Sequence, residues 1–105
     1  MTASPRRQRL TELLADAPDD PELRYALAME DLSCGDLEAA ARGFLELTSN
    51  SPPHVPSFLM AAQTLLKLNR TQEAIDILKS GVTAAAQQGN LHAQGEMQGL
   101  LDNLL

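Results

Sequence analysis

The chain has a single cysteine, Cys34, no tryptophan, and only three aromatic residues, which are Tyr25, Phe44 and Phe58. One cysteine cannot form an internal disulfide, so nothing in the sequence indicates an oxidising compartment. The first twenty residues contain no apolar segment of signal-peptide length, and no run is long enough to span a membrane. We therefore expect a cytoplasmic protein with no membrane among its partners.

Positive charge is also scarce, because eight Lys and Arg residues face fourteen Asp and Glu residues and the formal net charge is −6. This balance opposes binding to phosphate backbones, so we expect no nucleic acid partner. The acids are concentrated between residues 16 and 46, where nine acids accompany two bases. This segment could form a solvated helix face or a surface that steers a basic partner.

Residues that commonly carry catalysis are few. Neither a base nor a positive charge lies near Cys34 to favour a thiolate, so we expect an inert residue at a helix end. His92 and Glu96 are one helical turn apart, but no further Cys or His pair completes a metal site. The sequence also lacks a phosphate-binding glycine loop and a nucleophile elbow. We expect no enzyme activity, no cofactor and no metal.

The residues that are abundant, leucine and alanine, both favour helices. Capping residues and 3.6-residue periodicity predict five or six helices and no strand. The third helix ends in a proline-rich segment over residues 50–56, and the fourth occupies about residues 56–68. The predicted N-cap residues of all the helices except the fourth are Ser4, Asp20, Asp36, Thr71 and Asn90.

A helical hairpin occurs twice in the sequence, with a spacing of 34 residues. The corresponding pairs are Leu27 and Ala61, Ala28 and Ala62, Leu32 and Leu66, Gly35 and Asn69, Ala40 and Ala74, and Phe44 and Leu78. A helix–turn–helix unit repeated at this period is typical of the tetratricopeptide repeat.

On these positions the chain resembles the tetratricopeptide repeat (TPR) family. Residues 21–54 and 55–88 resemble two repeats, preceded by a helix over 5–17 and followed by a capping helix over 90–105. The resemblance implies a single all-α domain, a right-handed superhelical stack of antiparallel helix hairpins with about six helices. Gly35 and Asn69 suit the left-handed conformation that ends a helix, and Phe44 and Leu78 fill the space between hairpins.

Asp31 departs from the family pattern, because the family has an aromatic residue facing into the hairpin at this position. An unpaired buried carboxylate would be costly. The side chain could reach solvent or a base, or the helix could be rotated so that Leu32 points inward instead. We expect the rotated helix.

The resemblance implies a function for the concave face, which the first helix of each hairpin lines and which usually holds a peptide or helix of a partner. The predicted groove residues are Glu22, Tyr25, Met29, Leu32, Leu59, Met60, Gln63, Leu66 and Lys67. Some family members grip a C-terminal carboxylate with Lys, Asn and Arg, but the matching positions here are Tyr25, Met29 and Met60. The resemblance therefore implies an adaptor or scaffold that binds an apolar peptide or helix.

The predicted apolar groove has three possible occupants. A partner protein or peptide could bind in it, a second copy of the chain could cover it in a homodimer, or the terminal helices of the same chain could bury it. The first alternative makes the chain a protein-interaction module, and the second makes it a self-associating structural protein.

Overall fold

The computed structural model describes residues 4–105, which form six α-helices and no strand. The helices are α1 (Pro5–Asp16), α2 (Pro21–Ser33), α3 (Leu37–Thr48), α4 (Val55–Lys67), α5 (Thr71–Gln87) and α6 (Leu91–Leu104). Each helix packs mainly on its neighbours along the chain, and α6 also touches α4. This produces an elongated stack of antiparallel hairpins that measures 39 × 28 × 18 Å.

Most of the predicted helix starts are confirmed by side chains that accept backbone N–H bonds. The capping pairs are Ser4 with Arg7, Asp20 with Glu22 and Leu23, Asp36 with Ala39, and Asn90 with Ala93. The prediction for Thr71 is wrong, because Arg70 occupies the N-cap position and no side chain caps this helix. The Arg70 guanidinium instead donates two hydrogen bonds to Glu73 in the first turn.

The turns inside the two hairpins have the same backbone geometry. Gly35 and Asn69 both have positive φ, 82° and 60°, as predicted for residues that end a helix in the left-handed region. In each turn the following N–H reaches back to a carbonyl five residues earlier, from Asp36 to Asp31 and from Arg70 to Leu65, each at 2.9 Å. The 34-residue sequence repeat is therefore also a repeat of backbone hydrogen bonding.

The core consists of two clusters of buried apolar side chains that meet at α3 and α4. The smaller cluster joins α2, α3 and α4 through Ala28, Ala40, Phe44 and Ala61. The larger cluster extends from α3 to α6, and Leu78, Leu65 and Ala74 in it have no exposed surface. Because α3 and α4 both contribute to the two clusters, these neighbouring helices hold the two hairpins together.

The prediction that α2 rotates Leu32 inward and Asp31 outward is wrong. Asp31 is buried with 7% exposure, whereas Leu32 is half-buried. The Asp31 carboxylate pairs with the Arg7 guanidinium of α1. Burial raises the pKa of Asp31 above its ordinary value, the positive charge of Arg7 opposes this rise, and the negative charge of Asp36 adds to it. The base comes from a helix outside the repeated segment.

Candidate functional site

A recess of about 260 Å³ lies between α2, α4 and α6, on the side of the stack where the groove is predicted. Three of the predicted groove residues line it, Tyr25 from α2 and Leu59 and Met60 from α4. The other lining residues are Val55, Pro56, Asn90, His92, Ala93, Glu96 and Met97. The recess is mainly apolar, and its walls come from three helices that are separate in the sequence.

Five further groove predictions fall outside this recess. Met29 and Leu32 are half-buried and pack against the smaller core cluster, and Leu66 packs in the same way against the larger one. Gln63 and Lys67 are exposed. The apolar members of the predicted groove are therefore shared between the protein's own core and the surface.

The remaining predicted residue, Glu22, lines a second and wider recess of about 680 Å³. This recess lies where α2, α4 and α6 begin, and it shares Val55, Pro56 and Asn90 with the smaller one. The two recesses are therefore adjacent, and carboxylates occur at both.

Tyr25 is held in place by two aromatic neighbours. Its ring centroid lies 5.6 Å from that of Phe44 and 5.0 Å from that of His54, with tilted ring planes in both cases. Burial raises the pKa of the Tyr25 phenol, and the negative charge of Glu22 raises it further. The wall that Tyr25 contributes to the smaller recess thus packs against two aromatic rings and lies close to a carboxylate.

His54 connects Glu22 to Ser57 in a chain of hydrogen-bonding groups. Its Nδ1 lies 2.8 Å from Ser57 Oγ, and its Nε2 lies 3.0 Å from Glu22 Oε1. The order serine, histidine, carboxylate matches that of a hydrolase triad. Ser57 has no exposed surface, however, so its hydroxyl is out of reach of a substrate. The contacts instead fasten the start of α4 to α2.

Sequence reasoning missed the residues that α6 contributes to the smaller recess. The N-cap positions Asp20, His54 and Asn90 lie 34 and then 36 residues apart, so the second step is two residues longer than the first. The longer step accompanies α5, which has 17 residues where α3 has 12. A search for caps that allowed unequal spacing would have placed α6 after α2 and α4 in the same series of helices.

Within residues 4–105, the side-chain hydrogen-bond contact of the Cys34 thiol is with a carboxylate. The residue is exposed, and its Sγ lies 3.8 Å from the carboxylate oxygen Oε1 of Glu30. Within residues 4–105, no group of three or more His, Cys, Asp or Glu side chains is arranged to hold a metal ion. Over the same residues, no helix has the length and apolar character that are needed to cross a membrane.

Comparison with known proteins identifies the class as an all-α helical repeat. No protein-family model matches the chain, and no curated protein matches it. A solution NMR structure of a tetratricopeptide repeat domain protein from Salinibacter ruber is similar, with 31% identity over 83% of this chain and 88% of that chain and a TM-score of 0.77. A crystal structure of a tetratricopeptide repeat domain protein from the same organism is also similar. Its sequence identity is 30% over 82% of this chain and 96% of that chain, and its TM-score is 0.76.

The chain therefore belongs to the tetratricopeptide repeat family. The hairpins α2–α3 and α4–α5 begin at N-cap positions that lie 34 residues apart, Asp20 and His54. Membership in this family supports a general role as a protein-interaction module, and tetratricopeptide repeats are typically non-catalytic scaffolds.

Proposed function

We propose that the chain is a non-catalytic interaction module that binds an apolar peptide or helix along the face presented by α2, α4 and α6. The observation that carries this proposal is the recess between these three helices, which is lined mainly by apolar side chains. The half-buried Met60 contributes an unbranched, adaptable wall that suits a partner's side chain, and the buried Met97 lines the recess from the core. Among residues 4–105, α6 supplies part of the lining of the recess and α1 supplies none of it.

The size of the recess indicates what part of a partner enters it. At about 260 Å³ it is smaller than the pockets of roughly 300–1,000 Å³ that enclose drug-sized ligands. It suits one side chain of a peptide whose backbone runs across the face, as in interfaces where one buried anchor residue carries much of the affinity.

A peptide-display selection against the intact protein tests this proposal. Peptides enriched on the wild type are measured by titration against the variants Leu59→Asn and Met60→Gln, which replace half-buried apolar walls by polar groups of similar size. We expect both variants to weaken binding by about tenfold or more, because each places a polar group in the wall that the anchor contacts.

The control is Lys79→Ala, on the exposed surface of α5 and away from both recesses. It should bind the selected peptides as the wild type does, and circular dichroism should show that all three variants remain folded. Selected peptides that bind the two groove variants as tightly as the wild type, or a selection without enrichment, would contradict the proposal.

A homodimer that covers the same face is distinguished in the same samples. Sedimentation equilibrium of a binding-competent protein should give the monomer mass of 11.3 kDa over the concentrations used for titration. A dimer that dissociates when peptide is added would instead show that self-association occupies the groove.

A further inference from the structure

We infer that the partner segment carries one large apolar side chain flanked by lysine or arginine, and that its cationic groups meet Glu96 and Glu22 beside the recess. This inference rests on the proposed function and adds to it the chemistry of the partner. It follows from the charges around the recess together with its size.

The first observation is the sign of the charge in the recess wall. Among the described residues that line the smaller recess, none is a lysine or arginine, and the one carboxylate is Glu96 of α6. The neighbour of Glu96 along the helix is His92, whose Nε2 lies 3.0 Å from the Glu96 carboxylate. The Glu96 side chain is about half exposed, so its charge remains available to a bound segment.

The second observation is a carboxylate in the adjoining recess. Glu22 lines the adjoining recess, and its negative charge is one of the causes that raise the pKa of Tyr25, a wall of the smaller recess. Its side chain is 77% exposed although it contacts His54. A carboxylate of α6 therefore lines the apolar recess, and a carboxylate of α2 lines the recess next to it.

The bases near this face do not cancel these charges. Arg24 lines the wider recess, but its guanidinium donates a hydrogen bond to Glu46 Oε2 at 2.6 Å. Lys67 is the last residue of α4 and lines neither recess. Asp19 adds a further carboxylate to the wider recess. With a net charge of −6 on the whole chain, the field at this face attracts cationic segments and repels acidic ones.

The test uses the absence of tryptophan from the chain, since a tryptophan in a peptide is then a unique fluorescent reporter. Three capped hexapeptides carry a central tryptophan flanked by two lysines, two serines or two glutamates. They are titrated with the full chain at about pH 8, above the ordinary titration range of histidine. We expect a blue-shifted emission on binding, and an affinity about fivefold to tenfold higher for the lysine peptide than for the glutamate peptide.

The matched variants are Glu96→Gln and Glu22→Gln, which keep side-chain size and remove charge. We expect each to reduce the preference for the lysine peptide, and about 0.5 M salt to do the same for the wild type. Glu12→Gln on α1, a helix that lines neither recess, is the control and should retain the full preference.

The outcomes separate this inference from the proposed function. If the three peptides bind equally and Met60→Gln weakens this binding, the charge preference is overturned and the groove remains the binding site. A lysine preference that survives in both glutamine variants would also overturn the inference. Binding that Met60→Gln does not weaken, or no binding by any of the peptides, would show that the recess does not hold an apolar anchor of this kind.

Discussion

At the scale of single residues, Asp31 and Arg7 define the contact between α1 and the first hairpin. Ser4 Oγ donates a hydrogen bond to Glu30 Oε1 at 2.7 Å beside them, and Arg6 lies 3.3 Å from the same carboxylate. Leu10 is the buried apolar residue of α1. The helix is therefore attached through polar pairs around one leucine.

Asp31→Asn should change how stability depends on pH. Burial raises the pKa of Asp31 above its ordinary 3.8, so the folded state favours the protonated form. The stabilisation from this group is complete below about pH 3.8 and is lost as the pH rises through the raised pKa. We expect the free energy of unfolding of the variant to increase relative to the wild type over that interval and to stay level above it. Urea unfolding at steps between about pH 3.5 and 7 measures this difference.

Arg7→Gln is the companion variant. The positive charge of Arg7 lowers the pKa of Asp31, so its removal should extend the loss of stability to higher pH. The free energy of unfolding of Asp31→Asn could differ from that of the wild type by a constant amount at every pH, or that of the wild type could rise relative to the variant as the pH rises. Either result would show that burial does not dominate the pKa of Asp31.

At the scale of helices, the packing of α5 depends on the absence of a side chain at Gly81. A Cβ atom there would lie 2.7 Å from Phe58 Cβ of α4 and 2.5 Å from Met97 Sδ of α6. Met97 could move its flexible end, but the Cβ of Phe58 moves only with its backbone. The close approach of α5 to α4 therefore requires glycine.

Gly81→Ala should lower the free energy of unfolding by about 1–3 kcal/mol, the usual cost of an extra methyl group in a packed core. Chemical denaturation of the wild type and the variant measures the loss. An unchanged or higher stability would show that α5 can shift without cost.

Gly95→Ala in α6 is the matched control for the same substitution. Apart from its chain neighbours and the adjacent backbone of α6, no heavy atom of residues 4–105 lies within 4 Å of a Cβ built at Gly95, which is an exposed position inside a helix. Alanine should raise stability here by about 0.5–1 kcal/mol, because glycine loses more backbone entropy when it becomes helical. The two variants thus separate helix propensity from helix packing.

At the scale of the whole molecule, stability should vary along the stack. The described part of α1 has one buried residue and packs on α2, whereas α4 has seven buried residues and contacts α3, α5 and α6. In repeat proteins stability is approximately a sum of unit and nearest-neighbour terms, so a helix with one neighbour opens most easily.

Native-state hydrogen exchange should therefore show α1 amides opening at a lower free energy than those of α4. We expect the opening free energy of the α4 amides to equal that of global unfolding, and the opening free energy of the α1 amides to be well below it. Equal protection of α1 and α4 would show instead that the polar pairs at Asp31 and Glu30 couple α1 fully to the hairpins.

Much of the fold could be predicted because its information is local and repeated. The caps at Asp20 and Asp36, the left-handed turns at Gly35 and Asn69, and the buried Phe44 all follow from residue types at fixed spacing. Thr71 was misassigned as a cap, because an arginine that bonds to the first turn competes with the usual hydroxyl cap. Such a choice depends on the free energies of side-chain contacts that spacing does not reveal.

The candidate site was predicted only in part. Tyr25, Leu59 and Met60 come together in the smaller recess, whereas Gln63 and Lys67 lie outside it. His92, Ala93, Glu96 and Met97 were missed, because α5 is longer than α3 and displaces α6 from the 34-residue register. A repeat matched at constant spacing cannot anticipate a helix that starts two residues late.

The sequence by itself determined the helices, their turns and the hairpin repeat, since these depend on residues within a few turns of one another. Only the tertiary structure decided which base meets Asp31 and which helix completes the recess. Both results depend on contacts between segments far apart in the chain, where small differences in helix length and rotation change which side chains meet. The carboxylates beside the recess belong to this second kind, because Glu22 and Glu96 lie 74 residues apart and become neighbours of one apolar site through the stacking of α2, α4 and α6.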